Sequence, residues 1–273
     1  MQFKQILHQK SHPTPLPPFN CCHRTPSNLR CLPLNPTLSK KPSRPTLKRH
    51  FILILTFTLL KRVTFRVYGL YARDSRFKVG DYVRLAKNIT NKSKGASRYS
   101  EIMASLRNLG ADHSIQDAVK IRLENKNCYE GFEEETRYIL WRYEEYLAQG
   151  AGTQINKEIR EQIWQERSAD ESIEHIFPQS PEAGGAWDGK LKKNETVENH
   201  VHRIGNLLLL PQPLNEEARR QGFAAKKNIY AKSEHLHMVK EVMKEKDWSQ
   251  ATITKPEQKI IEWAKTAWAD RSD

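Results

Sequence analysis

Three polar side chains stand where packing alone would prefer apolar ones: His175, Asn206 and Asn215. An imidazole takes or gives a proton near neutral pH. Glu174 places a carboxylate directly beside His175. Asn206 sits between Gly205 and four leucines, and a buried carboxamide must be hydrogen-bonded or it costs a few kcal/mol. Asn215 opens a helical segment, where the ordinary role of asparagine is an N-cap. Taken singly, His175 is a satisfied histidine and Glu174 a strand carboxylate. Their combination within one short unit is what points to chemistry.

That unit has a readable order. Residues 172–178 are short and apolar-rich and read as a strand stopped by Pro178. A loop over 179–197 carries Pro181, Gly184-Gly185 and Trp187. Residues 201–210 read as a second strand closed by Pro211, and residues 214–232 as a helix. The expected order is β, loop, β, α. In a regular strand Glu174 and His175 face opposite ways, so the first strand must end or bulge there for both to reach one site. Alternation along the second strand puts His202, Ile204 and Asn206 on one face. His202 is thus a candidate phosphate contact or second base, with a solvent-facing strand histidine as the ordinary reading.

Upstream the pattern is helical from about residue 51 to 147. Leu53, Leu55, Leu59, Leu60, Val63 and Val67 recur mostly at three- and four-residue spacings. Two short helices are expected over 99–109 and 114–123, the second N-capped by Ser114. The clearest covers 132–147, with Phe132, Ile139, Leu140, Tyr143 and Leu147 on one face and Glu134, Tyr138, Trp141 and Glu145 on the other. A linker at 149–153 separates this region from the chemical unit. The tail, 238–268, reads as helix whose Trp248, Ile260, Ile261, Trp263, Ala264 and Trp268 pack back as core.

Composition narrows the function classes. The chain has 273 residues and a formal charge of +13. Residues 1–73 hold 13 bases and no acid, so the other 200 carry 32 bases against 32 acids. DNA binding by the folded part therefore needs a local patch. Nine of the 14 prolines lie between Pro13 and Pro45, and residues 1–50 read as a disordered leader. The longest apolar run, 51–60, is too short to span a bilayer, so no membrane is expected. Cys21, Cys22, Cys31 and Cys128 form no CxxC pair, which argues for a reduced, intracellular setting and against a zinc ribbon.

The string Glu174-His175-Ile176-Phe177-Pro178-Gln179 resembles the Asp/Glu-His-Ile-x-Pro signature of HNH (His-Me finger) nucleases. Gly205-Asn206-Leu207 and Asn215 resemble the second and third letters of that motif. With Trp187, Arg203-Ile-Gly-Asn-Leu, Phe223 and Lys227, the chain is similar to the C-terminal nuclease domain of GmrSD-type modification-dependent restriction enzymes. The likeness covers about 155–265, extends less specifically over 55–150 and is absent over 1–50.

The resemblance implies an α+β, predominantly α-helical fold, with a helical region at 51–150 packed on a ββα-metal unit and C-terminal helices at 151–273. It implies His175 as general base, Glu174 and Asn215 as oxygen ligands of one Mg²⁺ or Mn²⁺, and Asn206 fixing the histidine and the hairpin. The implied reaction is hydrolysis of DNA phosphodiester bonds in a phage-defence restriction system of the bacterial cytoplasm. Relatives couple this domain to an NTPase-like one with an Asp-Gly-Gln-Gln-Arg motif. That motif is not found here, so an NTPase-like specificity subunit is expected in trans. On the 214–232 helix Arg219 and Lys226 are seven apart, as are Arg220 and Lys227, giving a basic stripe for DNA phosphates. The alternative is a non-catalytic helical interaction subunit, or a truncated remnant of a larger restriction enzyme.

Overall fold

A computed structural model describes residues 44–90, 95–165, 168–192 and 194–270. Of the expected leader, only 44–50 fall among them, and Cys21, Cys22 and Cys31 lie outside. The backbone divides into Met1–Leu55 and Thr56–Asp273. The described part of the first unit is the opening of helix α1 (Arg44–Thr64). The second unit, mostly helical with one small sheet, holds the elements that follow.

A π-helical turn, Phe65–Leu70, continues α1 and buries Arg66. Helices α2 (Val79–Thr90) and α3 (Gly95–Leu109) close a satellite cluster of Leu59, Val63, Val67, Leu85, Met103, Leu106 and Leu109. Helix α4 (Ile115–Arg122) opens on Ser114, whose hydroxyl accepts the Asp117 N–H at 3.1 Å, as its sequence predicts. Helix α5 (Glu133–Gly150) carries three glutamates in its first turn, matching the positive end of its dipole. It buries the expected Ile139, Leu140 and Tyr143, and also Trp141, which helical spacing places on the other face. Helix α6 (Lys157–Gln165) explains the difference, because its Trp164 meets Trp141 edge-on at 6.0 Å.

A 3-10 turn, Ala169–Ser172, leads into strand β1 (Ile173–His175). After a loop come the single-turn helix α7 (Glu198–Val201), a 3-10 turn at Ile204–Asn206 and strand β2 (Leu207–Leu209). The strands pair antiparallel, Ile173 with Leu209, Glu174 with Leu208 and His175 with Leu207. Both are buried throughout, which is why β2 reads as a continuous apolar run rather than an alternating one. The chain ends in α8 (Gln212–Ala218), α9 (Phe223–Tyr230), α10 (His237–Met243) and α11 (Gln250–Ala267). One core runs through this unit from Phe65 to Trp268, including the expected Trp248, Ile260, Ile261 and Ala264. Among the described residues no helix is long and apolar enough to cross a membrane.

Two expectations change. The second strand is three residues long, not ten, because the chain before it turns back through α7 and the 3-10 turn. His202 therefore caps a helix and leaves the strand face shared by alternation. The helix expected over 214–232 is two helices, broken at Arg219, where φ is +29°. At Gly222 the chain passes so close to Ala186 that a Cβ there would lie 2.7 Å from the alanine's, and Trp187 Nε1 donates to Gln221 O at 3.1 Å.

Gly205 marks the tightest contact in this region. A Cβ at that position would sit 2.1 Å from the Ile253 carbonyl and 2.8 Å from the Glu257 nitrogen, both backbone of α11. Gly205→Ala is expected to lower the unfolding free energy by about 1–3 kcal/mol or more through overpacking. Urea denaturation measures this, and an unchanged midpoint would show that α11 is free to shift.

Candidate active site

Asn206 organises the corner. Its Oδ1 accepts the Phe177 N–H at 2.8 Å and the Trp248 indole N–H at 3.0 Å. Its Nδ2 donates to the carbonyls of Phe177 and Val201, each at 2.9 Å. The side chain is wholly buried and does not line the cavity described below. Asn206 clamps the main chain two residues beyond His175 rather than touching the imidazole. Pairing therefore stops at His175 in register, with no bulge.

Glu174 and His175 have partners on opposite sides of β1, as strand alternation requires. Glu174 Oε1 accepts from Lys226 Nζ at 2.6 Å and from Tyr230 OH at 2.8 Å, both on α9. Lys226 also donates to the His175 carbonyl at 2.7 Å. Burial pushes the Glu174 carboxyl up and the Lys226 ammonium down, and their mutual contact opposes both shifts. Oε2 takes no hydrogen bond from any described side chain.

The His175 ring lies on the other side, 3.3 Å from His202 and edge-on to Tyr129 at 4.6 Å. Burial, His202 and the Lys226 ammonium push its pKa down to about 3, so the imidazole is neutral at neutral pH.

Asn215 is no simple N-cap. It sits inside α8, and its Nδ2 donates to the carbonyls of Asp170, Glu171 and Ile173 at 3.0–3.3 Å. This ties α8 to the residue before Glu174 and leaves Oδ1 as the open acceptor. Glu174, His175, Gln179, Asn215, Arg219 and Arg220 all line one cavity of about 900 Å³.

Three of the five expected phosphate contacts do not line this cavity. Lys226 is wholly buried and held by Glu174. Lys227 donates to the Glu245 carbonyl at 2.9 Å. His202 is 9% exposed, packs on Tyr129 at 5.4 Å and does not line the cavity. The seven-residue stripe fails because the helix it assumed is broken at Arg219. Arg219 and Arg220 are exposed at the cavity and remain candidates.

Sequence reasoning missed Lys226 and Tyr230 as partners of Glu174, and Tyr129 and Gln179 around His175. The one cue for the first pair was their spacing of four, a single helical turn. Nothing local links Tyr129 to the motif. Lys226→Met would leave the buried carboxylate uncompensated. A loss of about 3–5 kcal/mol is expected by urea unfolding, and a loss below about 1 kcal/mol would mean the pair is open to water.

A family model described as GmrSD restriction endonucleases, C-terminal domain, matches residues 114–263. The match begins at the N-cap of α4 and takes in α5, both strands and the cavity. No curated protein and no solved structure matches the chain.

Proposed function

We propose that this chain, which belongs to the GmrSD restriction endonuclease C-terminal domain family, hydrolyses DNA phosphodiester bonds at this cavity as a metal-dependent HNH nuclease. Family membership makes it the nuclease part of a GmrSD-type restriction enzyme, with DNA as substrate, as the motif resemblance implies. The observation that carries the finer reading is that Glu174, His175 and Asn215, from a strand and a helix far apart in the chain, all line one cavity.

In this reading β1, the 3-10 turn with β2, and α8 form the ββα unit. His175 is neutral and takes a proton from water as the water oxygen bonds to phosphorus and the bond to the 3′ oxygen breaks. The carboxylate of Glu174 and the amide oxygen of Asn215 are donors that suit a hard, hydrated cation such as Mg²⁺ or Mn²⁺. Among the described residues no group of three His, Cys, Asp or Glu could supply an all-protein cage. When bound, such an ion neutralises charge on the phosphate and stabilises the leaving oxygen. Arg219 and Arg220 hold neighbouring phosphates. Asn206 keeps the end of β1 in place. Nucleotide dependence and recognition of modified bases would come from an NTPase-like partner in trans.

One observation favours a second reading. Lys226 already neutralises Glu174, as would suit a non-catalytic interaction subunit. Calorimetric titration with Mn²⁺ separates the two, since only the nuclease binds the ion with an affinity that Asn215→Ala weakens. Plasmid nicking with Mg²⁺ or Mn²⁺ is expected to fall by about 10²–10⁴-fold in His175→Ala. Equal rates in wild type and variant would remove the imidazole from the mechanism.

A further inference from the structure

The motif does not account for the company His175 keeps. Its Nε2 lies 3.3 Å from Nδ1 of His202. The other nitrogen of His202, Nε2, lies 3.3 Å from Oε1 of Glu130. The second oxygen of Glu130 accepts from Asn127 Nδ2 at 2.8 Å, which steadies the carboxylate. Tyr129 stacks on His202 with its ring inclined by 6° and meets His175 edge-on. Glu130 and Tyr129 come from the loop between α4 and α5, His202 from the end of α7 and His175 from β1.

Where the hydrogens lie in these contacts follows from what each atom can do. An ionised carboxylate only accepts, so His202 must carry its hydrogen on Nε2. Burial holds His202 below the usual histidine value although Glu130 opposes it, so this ring too is neutral near pH 7. A neutral imidazole has one N–H, which leaves His202 Nδ1 bare and able only to accept. The hydrogen between the two rings then belongs to Nε2 of His175. Its Nδ1 is left with a lone pair. The opposite arrangement would set a bare His202 nitrogen against a carboxylate oxygen. Gln179 does not close the open nitrogen: its amide lies 3.1 Å from Nδ1 and 3.4 Å from Nε2. Such near equality places it across the ring, not along either lone pair, and Gln179 is exposed.

We propose that Glu130 and His202 are positioning residues that hold His175 in its Nε2-protonated tautomer, so that Nδ1 is the nitrogen that takes the proton from water. The inference rests on His175 acting as the general base. As the proton moves from water to Nδ1, the Nε2–H stays in place on His202. Glu130 remains ionised and offsets the new positive charge through His202.

Long-range ¹H–¹⁵N correlation spectra of the full chain, with labelled histidine at neutral pH, report the tautomer directly. Wild-type His175 is expected to be protonated at Nε2. The charge reversal Glu130→Lys, at an exposed side chain, puts a donor against His202 Nε2. It should move the His202 hydrogen to Nδ1 and switch His175 to the Nδ1-protonated form. Glu130→Ala should give a mixture. With Mg²⁺ and plasmid DNA, kcat is expected to fall by about 10–100-fold in Glu130→Lys, with KM unchanged. A wild-type His175 protonated at Nδ1, or a tautomer that Glu130→Lys and Glu130→Ala leave unmoved, overturns the positioning role whatever the activity. Retained activity in His175→Ala overturns the base role instead, so the two failures are distinguishable.

Discussion

A carboxamide sealed from water must satisfy its donors and acceptors inside the protein, and the wholly buried Asn206 does so with hydrogen bonds to three separate segments. It grips both main-chain groups of Phe177 just beyond β1, the carbonyl at the end of α7, and the indole of Trp248 before α11. Each group orphaned by its loss would cost about 1–3 kcal/mol. Gly205 beside it presses against the backbone of α11, where no side chain has room. The length of β1 follows from this junction, and with it the placement of Glu174 and His175.

The second constraint is electrostatic. A carboxylate that is almost fully buried requires a counter-charge or a proton. Lys226 supplies the charge, and Tyr230 adds a hydrogen bond from the same face of α9. The lysine also holds the His175 carbonyl, so one ammonium fixes the main chain and the carboxylate of adjacent residues. On the other side of the strand the imidazole is kept neutral among aromatic rings. The ion pair thus lies on one side of β1 and the neutral imidazole on the other, within a single dipeptide.

Local physics made a good part of this legible. Ser114 reads as an N-cap because its hydroxyl competes for the first free N–H groups of a helix wherever one starts. Asn206 stands out because nothing apolar in its surroundings can satisfy an amide. The leucines after it announce burial, but not how many of them pair in a strand. That depended on Gly205 and Asn206 being needed against α11, a contact with residues some fifty positions on. The helix after β2 looked continuous because every residue from 214 to 232 except Gly222 tolerates helix. The interruption comes from the loop around Ala186 and Trp187 pushing against it.

From the chain alone came the family, the mostly helical make-up, and the candidate residues of the proposed site, because these rest on residue types and short spacings. The partners came only from the folded molecule. Lys226 changes from a surface cation into the buried mate of Glu174, and His202 from a strand residue into the neighbour of His175. Sequence periodicity reports which face a residue occupies within its own element. It does not report which other element that face meets, and the state of a buried charge or imidazole is set by that meeting.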